Sequence, residues 1–255
     1  MGGRGVRACG ALYPEAMDLS IVVPAYNEER RLQPTLDGWT TWLDGFDGTA
    51  EIVVSDDGST DGTADLVERA AASDPRIRLN RREQNAGKGG AVRSGMLAAT
   101  GAYRFYVDAD MNIAPFHVDP ALALLRSGVA DVVTGKRSLA RYSETERSPA
   151  RLAAGAAVQV TRRILVLPVI TDTQAGFKGF AAEWPEKVFG AATIDSFAFD
   201  IEVLYLARRM GARIAEMPVE VEFRDDSTFD VGKHLPPFIE DIWRIRMNAW
   251  RGRYS

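Results

Sequence analysis

The chain has 255 residues, of which 46% are hydrophobic and 26% are charged, and its formal net charge is −4. This composition is typical of a soluble globular protein, and the acidic balance argues against nucleic acid as a partner. The single cysteine, Cys9, cannot form an intramolecular disulfide, and the apolar run at 164–167 is far shorter than the roughly 20 residues that cross a bilayer. We therefore expect a cytoplasmic protein, with at most peripheral association at the cytoplasmic face of a membrane.

The N-terminal segment is rich in Gly, Arg and Ala and lacks the long apolar core of a secretory signal. We predict a loose extension over residues 1–17, with Met17 close to the natural start. No internal repeat or convincing linker follows, so residues 18–255 are expected to form one domain.

The first hundred residues alternate between short apolar strands and amphipathic helices. We predict strands at 19–23, 51–55, 76–79 and 103–107, and helices at 28–43, 61–72 and 87–99. This order predicts an α/β fold with a parallel sheet and right-handed crossovers. The polar clusters that follow the first, second and fourth strands should then converge, because ligands in such sheets bind at the carboxyl ends of the strands.

The second half has a less regular pattern. Its predicted elements are a strand at 132–134, a basic polar stretch at 136–147, a long helix to 167, a loop and short strand over 172–180, a helix at 199–210, a strand pair at 213–223 broken by Pro218, and a final helix at 235–250.

The segment Asp108-Ala109-Asp110 places two carboxylates at a predicted strand end. Mg²⁺ and Mn²⁺ prefer oxygen ligands, and Mg²⁺ sites often combine one or two carboxylates with substrate phosphates. An acidic pair of this kind can also be only a turn former, so the motif alone leaves both interpretations open.

Two further clusters are each ambiguous when taken alone. Asp56-Asp57-Gly58-Ser59-Thr60-Asp61-Gly62 suits a turn and helix cap, or one of its first two aspartates could bind a base or ribose. Asn85-Ala86-Gly87-Lys88-Gly89-Gly90 could bring backbone close to a phosphate or sugar, or could simply begin a helix. It is not a P-loop, because Gly89 stands where Ser or Thr is required.

These motifs together with Pro24-Ala25-Tyr26-Asn27-Glu28 closely resemble, in order and spacing, the family 2 glycosyltransferases with the GT-A fold. Asp172-Thr173-Gln174-Ala175-Gly176-Phe177-Lys178 and Phe197-Ala198-Phe199-Asp200-Ile201-Glu202 resemble the dolichyl-phosphate glucosyltransferase and polyprenyl-phosphate mannosyltransferase branch. The resemblance implies a Rossmann-like, mostly parallel sheet with helices on both faces. It also implies a nucleotide-sugar-binding half over 18–112 and an acceptor-binding half over 113–255.

The resemblance implies inverting transfer of a hexose from a nucleotide-sugar, with UDP-glucose favoured, and a Mg²⁺ or Mn²⁺ cofactor. The donor would contact Pro24, Tyr26, Glu28, Asp56, Asp57, Lys88, Asp108, Ala109 and Asp110, and the metal would bind Asp108 and Asp110. The acceptor, with polyprenyl phosphate favoured, would meet Arg137, Arg141, Gln174 and Lys178.

The need for a base depends on the acceptor. A phosphate is already ionised near neutrality, since its second pKa is about 6, whereas a hydroxyl needs a base, for which Asp200 is the first candidate and Asp172 the second. Acids at 225, 226 and 230, where relatives carry a Gly-Ser-Lys turn, would repel a phosphate and keep a small soluble hydroxyl acceptor as the alternative. A catalytically silent nucleotide-sugar-binding module is the remote alternative.

The final predicted helix combines aromatic residues with neighbouring arginines, from Leu235 to Arg253. Such a helix suits a membrane surface, although core packing is the commoner explanation of its apolar residues. His117 and His234 are isolated in the sequence, and neither is assigned a catalytic role.

Overall fold

A computed structural model describes residues 17–137, 170–221 and 231–254, with the side chains of the last segment described from residue 237. The strands are β1 (Leu19–Ala25), β2 (Ala50–Asp56), β3 (Ile77–Arg81), β4 (Tyr103–Val107), β5 (Val132–Arg137), β6 (Phe177–Ala181) and β7 (Ile214–Val219). The helices are α1 (Leu32–Leu43), α2 (Thr63–Ser73), α3 (Lys88–Ala98), α4 (Val118–Arg126), α5 (Trp184–Ala191), α6 (Phe199–Arg209) and α7 (Val231–Trp250), with a 3₁₀ turn at Pro115–His117.

The seven described strands form one sheet in the order β3-β2-β1-β4-β6-β5-β7. The first four strands along the chain are mutually parallel, as the alternation of strands and helices predicted. β6 runs antiparallel to both of its neighbours, β4 and β5, while β7 is parallel to β5. The prediction of an α/β fold with a mostly parallel sheet is therefore confirmed.

Helices cover both faces of the sheet because the central strands are apolar on both sides. Along β1, the side chains of Ile21 and Val23 enter one buried cluster with α1, α2 and α4. Val22, between them, enters a second cluster with α3, α5, α6 and α7. Side chains of successive strand residues point to opposite faces, so a continuous apolar run produces a sheet buried on both faces.

Several predicted boundaries and elements were wrong. The predicted break at Pro218 is wrong, because β7 (Ile214–Val219) runs through that residue, while residues 222–223 of the predicted strand pair lie outside the described residues. Among the described strands β7 pairs only with β5, and an edge strand tolerates a proline that cannot donate to a ladder. Helices α4 and α5 were not predicted, and α1 begins at Leu32 rather than at residue 28. The predicted helix ending at 167 lies outside the described residues.

The antiparallel direction of β6 determines where the site forms. Phe177, the first residue of β6, pairs with Val107, the last residue of β4. Just beyond this pair, the Asp108 N–H donates a hydrogen bond of 3.2 Å to the Gly176 carbonyl. The loop before β6 therefore lies at the same edge of the sheet as the acidic segment after β4.

Candidate active site

A cavity of about 400 Å³ opens at the carboxyl ends of β1, β2 and β4. It has the size of a typical small-molecule site. Among the described residues, it is lined by Pro24, Ala25, Tyr26, Glu28, Arg31, Asp57, Asn85, Gly87, Lys88, Ala91, Asp108, Ala109, Asp110 and Phe197. The three polar clusters that the sequence placed at strand ends thus converge on one cavity, hereafter the main cavity.

Tyr26 is held at the rim of the main cavity by the turn that follows β1. Asn27 adopts a left-handed conformation with φ of 55°, which Asn tolerates better than most residues. Its N–H donates to Ser59 Oγ at 2.9 Å, and its side-chain oxygen accepts from the Thr60 N–H at 2.9 Å. These bonds join the turn after β1 to the turn after β2. They leave the Tyr26 ring 45% exposed beside the cavity.

Asp57 organises the turn that begins α3. Its carboxylate accepts hydrogen bonds from the backbone N–H groups of Ala86, at 3.2 Å, and Gly87, at 2.7 Å. The guanidinium of Arg82 lies 3.2 Å from the same carboxylate. Gly87 has a φ of +105°, and a Cβ there would press against the carbonyl of Asp195. Glycine is thus required where the backbone enters the cavity wall.

Charges of both signs meet on the floor of the main cavity. Lys88 Nζ lies 2.6 Å from Asp108 Oδ1. Burial alone would lower the pKa of Lys88, but the carboxylates of Asp108 and Asp200 outweigh this effect and raise the pKa. Burial, followed by repulsion from Asp108, raises the pKa of Asp110. The two carboxylates therefore repel each other, and a cation between them would relieve that repulsion.

Asp108 is also the point where the main cavity meets a smaller one. The smaller cavity, of about 70 Å³, is lined by Asp108, Asn112, Ile113, Arg137, Gln174, Gly176 and Val221. Of these residues, only Asp108 also lines the main cavity. A Cβ built on Gly176 would overlap the Asp108 carboxylate, so glycine there leaves room for the acid.

Arg137 and Asp172 form an ion pair at the smaller cavity. Two guanidinium nitrogens of Arg137 lie 2.7 and 3.0 Å from the two carboxylate oxygens of Asp172, and the Arg137 N–H also donates to that carboxylate. Burial would raise the pKa of Asp172, but the hydrogen bonds and charge of Arg137 outweigh it and lower the pKa. The Asp172 side chain thus orients Arg137 while lining neither cavity.

Asp200 and Lys178 lie beneath the site as a buried ion pair. Lys178 is 0% exposed, and its Nζ lies 2.5 Å from Asp200 Oδ1 and donates to the Ala175 carbonyl at 2.8 Å. The Tyr106 hydroxyl donates to the same Asp200 oxygen at 2.5 Å. Neither Lys178 nor Asp200 lines a described cavity. In the described part of the chain, the charge of Lys178, which was predicted to border the acceptor, is thus engaged by Asp200.

Asp56 also departs from its expected place. It is fully buried, and its carboxylate accepts hydrogen bonds from the Ser59 N–H and hydroxyl while Arg81 lies 3.3 Å away. It serves the turn after β2, which leaves Asp57 as the residue of the pair that lines the main cavity. Arg141, the acids at 225, 226 and 230, and the side chain of His234 lie outside the described residues.

Phe197 and Arg31 are among the cavity residues that carried no predicted role. Phe197, quoted above only as part of a motif, lines the main cavity and is 42% exposed. Arg31 also lines it and pairs with Glu28 at 2.7 Å. An aromatic residue three positions before Asp200 was a usable signal, whereas nothing in the sequence distinguished Arg31 from its neighbour Arg30. His117 is buried, and its Nε2 accepts a hydrogen bond from the Glu220 N–H.

The residues fit a divalent cation only in part. Within the described portion of the chain, no three His, Cys, Asp or Glu side chains are grouped as a complete metal site. Mg²⁺, however, is commonly bound by one or two carboxylates together with substrate phosphates. Asp108 and Asp110 at the cavity floor supply those two carboxylates. The donor set therefore suits a metal that arrives with, or is completed by, a diphosphate.

The fold and cavity define an α/β enzyme whose site lies at the carboxyl edge of its sheet. The model of glycosyl transferase family 2 matches residues 20–189, which is most of the chain. The chain therefore belongs to glycosyl transferase family 2 and is a glycosyltransferase.

Among curated proteins, a dolichyl-phosphate beta-glucosyltransferase of Dictyostelium discoideum is 36% identical, with 92% of this chain and 75% of that protein covered. The Homo sapiens protein of the same description is 32% identical, with 91% and 77% covered. The resemblance to this branch is confirmed.

Solved structures confirm the GT-A fold. Glucosyl-3-phosphoglycerate synthase from Mycobacterium tuberculosis, in complex with Mn²⁺, UDP and glucosyl-3-phosphoglycerate, aligns with a TM-score of 0.64 at 23% identity, covering 91% of this chain and 80% of that one. As for membranes, none of the described helices has the length and apolar character needed to span a bilayer.

Proposed function

We propose that the enzyme transfers a hexose, glucose from UDP-glucose being favoured, to a polyprenyl phosphate with inversion at the anomeric carbon. The observation that supports this most directly is the meeting of two cavities at Asp108, one suited to a nucleotide-sugar and one containing Arg137. The curated relatives named dolichyl-phosphate beta-glucosyltransferase make a polyprenyl phosphate the first acceptor to test.

The main cavity supplies the contacts that a nucleotide-sugar requires. Tyr26 and Pro24 offer apolar surface for a base, and the Glu28 and Asp57 carboxylates can accept from base or ribose donors. Lys88 brings a positive charge to the cavity floor. A divalent cation held by Asp108 and Asp110 would neutralise the charge that develops on the departing diphosphate.

The acceptor would enter on the side of the smaller cavity. Arg137 is oriented by Asp172 through Nε and Nη2 and brings a guanidinium charge to that cavity, a charge that suits a phosphate. The phosphate oxygen attacks the anomeric carbon as the bond to the diphosphate breaks, and the electron pair of that bond stays on the nucleoside diphosphate. Because a phosphate monoester is largely ionised above its second pKa of about 6, this step requires no proton transfer.

The placement of the two candidate bases favours such an acceptor. Neither Asp200 nor Asp172 lines a described cavity, since Asp200 is paired with Lys178 and Asp172 with Arg137. A hydroxyl acceptor would need one of them to take a proton, whereas a phosphate needs neither. We therefore propose positioning roles for both acids in phosphate transfer, and the hydroxyl acceptor remains the alternative to test.

The test combines a panel of UDP- and GDP-sugars with Mg²⁺ or Mn²⁺ and a short-chain polyprenyl phosphate. Mn²⁺ and UDP are the natural first conditions, because the structural neighbour was solved with both. We expect β-linked glucosyl lipid from UDP-glucose, and its loss in the Asp110→Asn variant. Asp65→Asn, an exposed acid of α2, is the matched control and should keep full activity.

Two results would contradict the proposal in different ways. Sugar transfer to a soluble hydroxyl acceptor but never to the lipid would move the enzyme to the alternative acceptor class. Donor binding without turnover on any acceptor of either class would support the silent binding module.

A further inference from the structure

Helix α7 has one face that belongs to the core. Phe238, Ile242, Ile245 and Ala249 are all buried in the cluster shared with α6. Their spacing of three and four residues is that of a single helical stripe. Core packing thus accounts for this stripe and for no other face of the helix.

A second apolar stripe lies on a different face of α7. Trp243 is 49% exposed and Trp250 is 65% exposed, and these residues are seven positions apart, so they lie one above the other. Ile239 and Met247, at helical spacing from them, are half-buried on the same side. We call these four residues the tryptophan face. Two exposed tryptophans on one helix face are not explained by packing within the described part of the chain.

The charge beside the tryptophan face is opposite in sign to that of the whole protein. The segment from 239 to 253 contains four arginines, at 244, 246, 251 and 253, against two acids, Glu240 and Asp241. The full chain carries a net charge of −4. Arg246 lies 5.3 Å from the centre of the Trp250 ring. Asp241 is already bound to Arg244 at 3.1 Å. The surface around the tryptophans is therefore locally basic.

We propose that the tryptophan face and its four arginines dock on the surface of an anionic lipid bilayer. Tryptophan prefers the headgroup level of a membrane, where its ring is apolar and its N–H remains hydrated. Arginines beside it gain from the negative surface potential of anionic lipids. An amphipathic helix of this kind lies in the plane of the interface without crossing the bilayer.

A different face of α7 contacts the loop that lines the main cavity. Ser196 Oγ donates a hydrogen bond of 2.6 Å to Asp241 on α7. Phe197, the next residue, lines the main cavity. Docking through α7 would therefore place the lipid surface on an element that also contacts the cavity wall. That the bilayer also contains the acceptor rests on the proposed function, whereas the docking itself does not.

The first test is co-sedimentation of the full chain with vesicles of phosphatidylcholine, alone or mixed with phosphatidylglycerol. We expect binding to the mixed vesicles and a blue shift of tryptophan emission. Trp243→Ala/Trp250→Ala should weaken this binding by at least about tenfold. Arg251→Gln/Arg253→Gln should weaken it by roughly fivefold for each arginine removed. Leu97→Ala/Val129→Ala, which removes exposed apolar side chains elsewhere, is the control and should bind like the parent.

Three results would overturn the docking proposal. The first is that the parent chain binds no vesicle. The second is that the tryptophan variant and the arginine variant both bind vesicles as well as the parent does. The third is that the parent dimerises in sedimentation velocity and that the tryptophan variant abolishes this dimer. The last result would assign the face to a second copy of the chain.

A transfer assay separates this proposal from the proposed function. With a water-soluble short-chain polyprenyl phosphate, Trp243→Ala/Trp250→Ala should match the parent, while transfer to a long-chain acceptor in anionic vesicles should fall. If the parent binds vesicles through the tryptophan face but transfers sugar to neither acceptor, the proposed function fails and the docking stands.

Discussion

The buried pair of Lys178 and Asp200 shows how one side chain can limit the role of another. Asp200 accepts from both Lys178 and Tyr106, and Lys178 also holds the carbonyl of Ala175 in the loop before β6. That loop continues into Gly176, against which the Asp108 carboxylate packs. The pair therefore supports the acid at the cavity floor from below.

We expect Lys178→Met to lower the free energy of unfolding by about 3–5 kcal/mol, because the substitution leaves the buried Asp200 charge without its cation. Lys178→Met/Asp200→Asn should recover most of that loss, as measured by urea unfolding. Lys187→Met, which breaks an exposed pair with Glu183, is the control and should cost less than about 1 kcal/mol. A double variant as unstable as the single one would show that the pair is not the source of the effect.

Phe197 offers a second test at the level of one side chain. Its exposed ring lines the main cavity, so a bound donor would cover it. If the ring stacks on the donor, Phe197→Ala should raise the KM for the nucleotide-sugar roughly two- to twelvefold, the equivalent of about 0.5–1.5 kcal/mol for an aromatic contact. Phe197→Trp should restore it. Phe116→Ala, an exposed ring outside both described cavities, should leave KM unchanged.

At the level of elements, the antiparallel strand β6 brings Gly176 against the acidic segment after β4. The backbone bond from Asp108 to Gly176 and the absence of a Cβ at Gly176 together set the place of the Asp108 carboxylate. The hydrogen-bonded junction of β4 and β6 thus belongs to the sheet and also forms the floor of the main cavity.

A methyl group at Gly176 should therefore damage the site more than the fold. We expect Gly176→Ala to lower kcat/KM about a hundredfold, since a displacement of about 1 Å at reacting groups has an effect of this size. Circular dichroism should show the secondary structure retained. Gly190→Ala is the matched control, because no atom lies within 4 Å of the added methyl group. It should keep activity and gain up to about 1 kcal/mol of stability from better helix propensity. Equal activity of both variants would refute this role of Gly176.

The sequence predicted the parallel half of the sheet well because each strand there is a short apolar run closed by a polar turn. For β4 the predicted and observed bounds coincide, at Tyr103–Val107. The same periodicity located α3, α6 and α7. It missed α4 and α5, and it divided β7 at Pro218, because an edge position that tolerates proline depends on the sheet around it.

The sequence predicted which segments form the site, but not which of their charged side chains pair with each other. Strand-end topology brought Tyr26, Asp57 and Asp108 together as expected, and Lys88, for which the resemblance implied a donor contact, lines the same cavity. Which carboxylate faces a cavity and which is buried against a cation depends on side-chain packing across distant segments. Asp56 and Asp57 are adjacent in the sequence, yet only Asp57 lines the main cavity. Local pattern contains no information about that choice.

On the scale of the whole molecule, donor and metal should act together on stability. The carboxylates of Asp108 and Asp110 repel each other across the cavity floor, and burial makes ionisation of the Asp110 carboxyl still less favourable. A cation bound with UDP would relieve both effects, and a ligand that binds only the folded state stabilises it by mass action.

We expect UDP with Mn²⁺ at about a hundred times its Kd to stabilise the chain by about 2.7 kcal/mol, as a rise in Tm. EDTA, or the Asp110→Asn substitution, should remove most of this gain, while Asp65→Asn should retain it. Stabilisation by UDP that is the same with and without metal would contradict the assignment of Asp108 and Asp110 as metal ligands.

The pairing of Val107 with Phe177 joins residues 70 positions apart in the sequence, and this separation affects when the active site can form during folding. A slip of one residue in the β4–β6 ladder would turn every side chain of β6 to the opposite face. Catalytic competence should therefore appear only after the correct long-range register has formed, which makes enzyme activity a sensitive reporter of the last stage of folding.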